Sequence, residues 1–230
     1  MIKHKFSLIS LSMDDSDINL SSPFFSIVIT TYNRVNLVKR AINSLILQTE
    51  TDWEAIIVDD GSTDGTYEQI PLYIRDYTKI RYVRKSHSGG VQSKNKGISL
   101  AKGKYITFLD SDDEYSTNHL KSRKLILLNN PTVKLLHGGA EIIGNQYVPD
   151  RFDHTKKIHL NECVIGGTFF IERQSLISLN GFSELPIGND ADLFERAKNF
   201  NIKIMETNKP TYIYNRQYQD SVTNKMLQSI

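Results

Sequence analysis

The sequence has little cysteine, little net charge and no long apolar run. Its single cysteine, Cys163, excludes an intrachain disulfide and fits a reducing compartment. A formal net charge of +2 argues against bulk nucleic-acid binding. No apolar run approaches the roughly 20 residues that a membrane-spanning helix needs. We therefore expect a cytoplasmic protein with no nucleic-acid partner and at most peripheral contact with the inner face of a membrane.

The chain is long enough for a substantial core. Its 230 residues suffice for one large α/β domain or two small ones, and 39% of them are hydrophobic. The start is a poor secretory signal, because serines interrupt the apolar run from Phe6 to Leu11 and acids follow it. We predict that residues 1–22 form a loosely ordered arm and that residues 23–230 form one domain.

Between residues 25 and 129, apolar β-branched runs alternate with runs of helical spacing. The predicted strands are 25–30, 54–58, 80–84 and 105–109, and the predicted helices are 37–46, 66–77, 91–102 and 117–129, the last with Leu120, Leu127 and Leu128 facing inward. Polar residues collect where the strands end. This pattern predicts an α/β fold with a Rossmann-like, mostly parallel sheet flanked by helices.

The remainder of the chain is less regular and predicts a smaller mixed region. Residues 133–137 and 140–143 are predicted to pair as a hairpin around two glycines. Residues 149–162 are charged and aperiodic, which is typical of a mobile loop of the kind that acts as a lid. Residues 164–171 are predicted to form a strand that Gly166 and Gly167 interrupt, with a bulge or a close ligand there. A helix is predicted from about residue 189 to 200.

Four acids follow the apolar strand 105–109, namely Asp110, Asp112, Asp113 and Glu114. Crowded carboxylates repel one another, and a hard divalent cation relieves that repulsion with one or two of them as ligands. The alternative is a solvated acidic turn in which Asp113 and Glu114 favour the start of the next helix. The spacing alone leaves both interpretations open.

Taken together, these motifs resemble glycosyltransferase family two, whose members are inverting enzymes with the GT-A fold that use nucleotide-sugar donors. The resemblance extends from about residue 24 to 223 and implies a GT-A domain with a donor half, about 23–115, and an acceptor half, about 116–230. The matching segments are 26–34, 48–49, 53–54, 57–64, 95–97, 101–106, 108–113, 181–182 and 189–193. Each motif is weak alone, but the ordered set is specific.

The resemblance implies a donor site built from the first half. Thr30 and Tyr32 match positions that contact the base and ribose, and an aromatic ring there is suited to packing on a base. Asp60 matches the acid that accepts a hydrogen bond from the base, with an Asx turn as the alternative. Lys94 stands where the family commonly has Arg, so it would meet the diphosphate as a point charge.

The same resemblance assigns the acids. Asp110 and Ser111 are expected at the nucleotide sugar, and Asp112 is expected to be the direct ligand of Mn²⁺ or Mg²⁺, while Asp113 and Glu114 are interpreted as helix-start charges. Asp190 matches the catalytic base, with helix capping as the alternative. The residues expected on the acceptor side are Gly167, Thr168 and Asp192.

The chain departs from the family pattern near residue 218. Many members carry Arg-X-His-X-X-Ser, whereas Tyr218 stands at the histidine position here and is a poor ligand for Mg²⁺ or Mn²⁺. The Gln-X-X-Arg-Trp signature of processive synthases is absent from the sequence, which favours transfer of single sugars. None of the six histidines has metal-ligand spacing, and most are interpreted as surface residues.

Two other functions are compatible with parts of this pattern. A phosphatase of the haloacid dehalogenase type is disfavoured, because its acidic motif lies on the first strand, with Thr or Val where this chain has Glu114. A catalytically silent nucleotide-sugar binder is the stronger rival, since Lys94 and Tyr218 depart from the family pattern. The expected partners are a nucleoside-diphosphate sugar, with uridine favoured, and a saccharide or lipid-linked saccharide acceptor of surface polysaccharide or glycolipid assembly. Lysines considered for contact with a membrane, or for ordinary solubility, are Lys121, Lys124, Lys156 and Lys157.

Overall fold

The computed structural model describes residues 22–153, 155–218, 224 and 227. Its strands are β1 (Phe25–Thr31), β2 (Trp53–Asp59), β3 (Ile80–Arg84), β4 (Tyr105–Asp110), β5 (Glu114–Tyr115), β6 (Leu135–His137), β7 (Ala140–Gly144), β8 (Tyr147–Pro149), β9 (Lys157–His159), β10 (Phe170–Glu172), β11 (Ile204–Glu206) and β12 (Tyr212–Arg216). Its helices are α1 (Val35–Ile46), α2 (Thr66–Ile74), α3 (Gly90–Leu100), α4 (His119–Asn129), α5 (Arg173–Ser178) and α6 (Asn189–Asn199). Two 3-10 turns lie at Leu160–Glu162 and Gly166–Thr168.

The main sheet has seven strands in the order β11-β6-β10-β4-β1-β2-β3. Strands β4, β1, β2 and β3 run parallel, and β10 is antiparallel to β4 and β6. Alternate residues of β1 enter different cores, with Ile27 and Ile29 packed beside α1 and Val28 packed beside α3. Such burial on both faces explains why these strands are continuously apolar. The predicted α/β sheet flanked by helices is confirmed.

A second sheet has three strands in the order β5-β12-β7, and this arrangement contradicts one prediction. Residues 133–137 and 140–143 do not form a hairpin, because β6 joins the main sheet and β7 joins the small one. Gly138 and Gly139 lie between them with φ of 89° and 75°. A Cβ at Gly139 would lie 2.1 Å from the Lys209 carbonyl oxygen, so the glycines turn the chain from one sheet to the other.

Two further segments of the second half differ from prediction. The predicted irregular loop at 149–162 contains the ends of an antiparallel hairpin, β8 paired with β9. The Asp150 carboxylate accepts from the amides of Phe152 and Asp153 at 2.7 and 2.9 Å, which stabilises the turn. The predicted strand at 164–171 is instead a 3-10 turn followed by β10, because Gly166 and Gly167 favour a tight turn.

Several observed helix bounds differ from the predicted ones by one to three residues. Helix α2 ends at Ile74 rather than residue 77, and α4 begins at His119 rather than residue 117. Leu128 is 56% exposed and does not face inward, whereas Leu120 and Leu127 are buried as predicted. The predicted arm lies outside the described residues except for Ser22. Within the described part of the chain, no helix has the length and apolarity needed to cross a membrane.

Candidate active site

The carboxyl ends of β1, β2 and β4 form one polar edge of the main sheet. Thr30 lies opposite Asp110 in the register of β1 and β4, and Thr31 lies opposite Asp59 in that of β1 and β2. The parallel register therefore brings the loops after all three strands together. This is the edge at which open α/β sheets bind ligands.

Lys94 joins this edge from helix α3. Its ammonium nitrogen lies 3.1 Å from a carboxylate oxygen of Asp110 and over the ring of Phe182, 5.5 Å from its centroid. Burial alone would lower the pKa of Lys94, but the carboxylates of Asp110 and Asp190 outweigh burial and raise it. Lys94 therefore remains a cation between two acids that come from different elements.

Asp190 lies in the first turn of α6, and its carboxylate is held from outside that helix. The amide of Gly166 donates to Asp190 Oδ2 at 3.0 Å, and a Cβ at Gly166 would lie 2.3 Å from the carboxylate carbon. The N-cap of α6 is Gly188, which offers no side-chain cap. Burial raises the pKa of Asp190 and Asp110 raises it further, against the opposing effect of Lys94. Its side chain therefore binds a separate segment rather than capping its own helix.

Asp112 is held by two arginines, one at the N-cap of α1 and one in the middle of that helix. Arg34 Nη1 lies 2.9 Å from Asp112 Oδ2, and Arg40 Nη2 donates to the Asp112 backbone carbonyl. Burial and the neighbouring Asp110 raise the pKa of Asp112, while Arg34 lowers it. Ser111, between the two acids, is buried. Sequence reasoning had not assigned a role to either arginine, although both stand on the helix that directly follows β1.

Asp113 and Glu114 do not start a helix, so their interpretation as helix-start charges is wrong. Asp113 is buried and accepts from the Tyr212 hydroxyl at 2.5 Å and from the Asn215 amide at 2.7 Å. Burial and its acidic neighbours raise the pKa of Asp113 well above its ordinary value. Glu114 belongs to β5 and pairs with Arg40 at 2.9 Å. The short strand β5 stands where the alternative interpretation placed a solvated acidic turn before α4.

The acids fit a divalent cation whose shell the protein only partly supplies. Asp110 contributes to raising the pKa of both Asp112 and Asp113, which shows that negative charge is crowded there. No group of three side chains suited to metal binding occurs among residues 22–153 and 155–218. Mg²⁺ commonly uses one or two carboxylates and completes its shell with water and substrate phosphates. Asp112, at the exit of β4, is placed to be such a carboxylate.

Asp60 and Tyr32 form a second group beside the loop that precedes α3. The Asp60 carboxylate accepts from the amides of Ser88 and Gly89 at 3.0 and 2.8 Å and from the ammonium of Lys85. Burial would raise the pKa of Asp60, but these donors outweigh it and lower the pKa. The Tyr32 ring stacks on His87 with centroids 4.1 Å apart. Since Gly89 is the N-cap of α3, this group is linked to the helix that carries Lys94.

Local hydrogen bonds of the kind considered for Asp60 are made by its neighbour, Asp59. Asp59 Oδ1 accepts from the amide of Ser62 at 2.9 Å and from its hydroxyl at 2.5 Å. Asp60 instead fixes a loop more than 25 residues away. Asp59 therefore stabilises its own turn and Asp60 stabilises a distant loop. The sequence pattern did not distinguish these two roles.

The residues predicted on the acceptor side make internal contacts. A Cβ at Gly167 would lie 2.1 Å from the Tyr212 hydroxyl oxygen. Thr168 donates to the Ile165 carbonyl at 2.7 Å, and Asp192 accepts from Ser183 at 2.7 Å and from Arg196 at 2.8 Å. The close approach predicted at the paired glycines is thus made by side chains of the protein itself. An acceptor role for Gly167, Thr168 and Asp192 stays a prediction.

Two aromatic positions complete the surroundings. The Tyr218 hydroxyl accepts from Arg40 Nη1, and the Arg40 guanidinium lies 5.2 Å from the centre of the ring. His119 is fully buried, unlike the surface position interpreted for most of the histidines, and its ring tilts against Tyr115 with centroids 4.1 Å apart. Burial lowers the pKa of His119 well below its ordinary value.

Solved structures share this fold. The structure of S. aureus TarS residues 1–349 in complex with UDP-GlcNAc aligns with a TM-score of 0.73 over 86% of this chain and 60% of that one, at 21% identity. The mannosyltransferase PcManGT from Pyrobaculum calidifontis in complex with GDP-Man and Mn²⁺ aligns with a TM-score of 0.65 over 84% of this chain and 57% of that one, at 16% identity. The predicted GT-A architecture is confirmed.

Sequence comparison gives the family. The model of glycosyl transferase family 2 matches residues 26–175, and the chain belongs to that family. An Escherichia coli relative, UDP-Glc:alpha-D-GlcNAc-diphosphoundecaprenol beta-1,3-glucosyltransferase WfgD, is 31% identical over 69% of this chain and 62% of its own length. An uncharacterized glycosyltransferase of Rickettsia felis is 46% identical over 38% of this chain and 14% of its own length. The match thus covers less than two thirds of either relative.

Proposed function

We propose that this protein is an inverting glycosyltransferase. It moves a sugar from a nucleoside-diphosphate sugar to an acceptor hydroxyl by a single, cation-assisted displacement. The observation that carries the proposal is the convergence of Asp110, Lys94 and Asp190 from β4, α3 and α6 at one sheet edge. A charged lysine between acids from distant points in the chain is suited to a ligand that carries a diphosphate and a reacting hydroxyl.

Asp190 is proposed to be the base. The acceptor oxygen attacks the anomeric carbon as the bond from that carbon to the diphosphate oxygen breaks, and Asp190 takes the hydroxyl proton. Gly166 holds Oδ2, which leaves Oδ1 for the acceptor. The raised pKa of Asp190 favours proton transfer to it, because a stronger base accepts the proton more readily. Attack from the face opposite the leaving group inverts the configuration at the anomeric carbon.

Lys94 and the carboxyl end of β4 are proposed to hold the diphosphate. Lys94 provides a fixed positive charge, and Asp112 would hold Mn²⁺ or Mg²⁺. Once bound, this cation acts as a Lewis acid towards the departing diphosphate. The Mn²⁺ in the PcManGT complex supports a cation at this kind of fold. Asp110 and Ser111 are proposed to face the nucleotide sugar.

The base and ribose are proposed to lie against Thr30, Tyr32 and Asp60. Tyr32 is 43% exposed and presents a ring at the polar edge. Asp60 already accepts from loop amides, so a base N–H would be added to, or exchanged for, these donors. Uridine is the proposed base, supported by the UDP-GlcNAc in the TarS complex and the UDP-Glc in the name of WfgD.

The acceptor is proposed to be a saccharide or a lipid-linked saccharide of surface polysaccharide or glycolipid assembly. The diphosphoundecaprenol in the name of WfgD supports a lipid-linked acceptor. A cytoplasmic protein would then meet the membrane peripherally. Of the lysines considered for this contact, Lys124 is committed to Glu50 and Asp52 at 3.1 and 3.0 Å, so it is no longer a good candidate. Lys121 and Lys157 are exposed and remain candidates, whereas Lys156, also exposed, pairs with Asp153 at 2.8 Å.

Two measurements test this function together. Thermal-shift titration with UDP, GDP and TDP, each with and without Mn²⁺, should raise the unfolding temperature most for the matching nucleotide with metal. Incubation with the corresponding donor should then release free sugar slowly, in a metal-dependent reaction that Asp190→Asn abolishes. Binding without any turnover would support the silent nucleotide-sugar binder instead. Failure of every nucleotide to bind would remove both functions.

A further inference from the structure

Both acids of the Asp110-Ser111-Asp112 motif already carry a cationic partner. Lys94 lies 3.1 Å from Asp110, and Arg34 Nη1 lies 2.9 Å from Asp112 Oδ2. The side chains of Arg34 and Asp112 are mostly buried, at 18% and 12% exposed. An ion pair with so little exposure is weakly screened by solvent and salt. The carboxylate proposed to bind a divalent cation is therefore neutralised by the protein itself.

The backbone around Arg34 is fixed independently of this ion pair. The adjacent Val35 amide, at the first turn of α1, donates to Asp64 Oδ2 at 2.9 Å. Asn33, on the other side, donates its amide to the Ser62 hydroxyl at 2.9 Å. The backbone on both sides of Arg34 is thus hydrogen-bonded to the loop after β2. The backbone at Arg34 can therefore stay in place when its side chain changes partner.

The backbone of Asp112 is also fixed without Arg34. Arg40 Nη2 donates to the Asp112 carbonyl, and Arg40 Nε pairs with Glu114 at 2.9 Å. Loss of the Arg34 side chain therefore leaves Asp112 held in position by Arg40. The ion pair with Arg34 therefore neutralises the Asp112 carboxylate but is not needed to position Asp112.

We propose that Arg34 is a second diphosphate-binding cation, which occupies Asp112 until a divalent cation and the donor arrive. This inference rests on the proposed function of the site. A divalent cation on Asp112 repels the guanidinium beside it, and the donor diphosphate supplies a new partner. Guanidinium binds phosphate oxygens in a bidentate manner, which the point charge of Lys94 cannot do. Arg34 thereby makes cation binding depend on nucleotide binding.

The coupling has a measurable consequence. Without nucleotide, Mn²⁺ must compete with Arg34 for Asp112, so Mn²⁺ alone binds weakly. UDP attracts Arg34 and removes that competition, so UDP strengthens Mn²⁺ binding and Mn²⁺ strengthens UDP binding by the same factor. Removal of the Arg34 charge should therefore tighten the binding of Mn²⁺ alone and reduce the coupling factor.

The test is titration of Mn²⁺ followed by electron paramagnetic resonance of the free ion, with and without UDP. Arg34→Gln should bind Mn²⁺ alone on the order of tenfold more tightly than the wild type, with a reduced effect of UDP. Arg34→Lys keeps the charge, so its affinity for Mn²⁺ alone should stay close to that of the wild type. In the presence of Mn²⁺, this variant should bind UDP several-fold more weakly than the wild type. Arg75→Gln, which removes a charge that is 73% exposed at the C-terminal end of α2, is the matched control and should change neither.

Equal or weaker Mn²⁺ binding by Arg34→Gln would overturn the inference and make Arg34 a fixed orienting partner of Asp112. Asp112→Asn separates this failure from failure of the proposed site. If Asp112→Asn binds Mn²⁺ as the wild type does, the metal assignment itself is wrong. Thermal melts of each variant verify folding, and if Arg34→Gln does not fold, the UDP affinity of Arg34→Lys decides. An unchanged UDP affinity in that variant would overturn the inference.

Discussion

Residues 23–115 and the described residues after 115 are built in different ways. In the first half, β1, β2, β3 and β4 are parallel neighbours, and the connections β1–β2, β2–β3 and β3–β4 each contain one helix. In the second half, β12 pairs with β5, almost a hundred residues earlier, and with β7. Local βα units form the polar sheet edge, whereas Asp190 and the two donors to Asp113 come from the second half. The proposed nucleotide binding and the proposed proton transfer thus rest on different parts of the fold.

The largest expected effect separates those two tasks. Asp190→Asn removes the proposed base but leaves the first half untouched, so we expect kcat to fall by about 10²–10⁴-fold. UDP affinity in Mn²⁺, measured by calorimetry, should change less than threefold (~0.6 kcal/mol). Asp76→Asn, at a side chain that is 81% exposed, is the control. An equal loss of donor affinity and of kcat would contradict the division of tasks.

A pair of glycines, one in each half, sharpens the comparison. Gly166→Ala places a Cβ 2.3 Å from the Asp190 carboxylate carbon and must displace the base, so we expect kcat to fall on the order of 10²-fold. Gly90→Ala adds a Cβ that meets nothing within 4 Å at the start of α3 and should leave kcat within twofold (~0.4 kcal/mol). Steady-state kinetics with both variants checks this. Similar activity in the two would show that the Gly166 contact does not position the base.

Adjacent leucines of α4 test how the second half is stabilised. Leu127 is 2% exposed and Leu128 is 56% exposed. Leu127→Ala should lower the free energy of unfolding by about 2–5 kcal/mol, because it leaves a cavity. Leu128→Ala should change it by less than about 0.5 kcal/mol, as at other exposed positions. Urea denaturation measures both values, and equal losses would restore the sequence-based assignment of Leu128 to the core.

The smallest expected effect lies in the first half and depends on pH. The pKa of Asp60 in the folded protein is below its ordinary value of 3.8, so its ionised form stabilises the fold. That contribution is present above the pKa of the unfolded chain and is lost as the pH falls through the lower folded pKa. The free energy of unfolding of the wild type should thus fall more steeply than that of Asp60→Asn in acid. Parallel slopes in urea denaturation below pH 4 would contradict the bonds of Asp60 to Lys85, Ser88 and Gly89.

Most of the first half could be predicted from the sequence because its signals are local. Strands β1, β2 and β4 are largely buried on both faces, and each ends in polar residues that mark the sheet edge. The family resemblance then pointed to Asp110, Asp112, Lys94 and Asp190, and Lys94 lies beside Asp110 in the structure. The strands and helices of this half required only periodicity and spacing, whereas the roles of the site residues required the resemblance.

The second half could not be predicted in the same way, because its strands have only two to five residues and pair with distant partners. The glycines at 138–139 looked like a hairpin turn, but they lead from one sheet to another. Asp113 looked like a helix-start charge because its donors, Tyr212 and Asn215, are about a hundred residues away. No local pattern contains such a contact.

The hydrogen bonds of Asp113 also determine when, during synthesis of the chain, the acidic site can fold. Both donors belong to β12, so a nascent chain shorter than about residue 215 contains the whole acidic motif without the groups that satisfy it. A buried carboxylate that lacks its donors is costly, so the motif is expected to stay open until β12 arrives. The site would then close when β12 emerges from the ribosome. The protein would become able to bind its ligand only once the small sheet is complete.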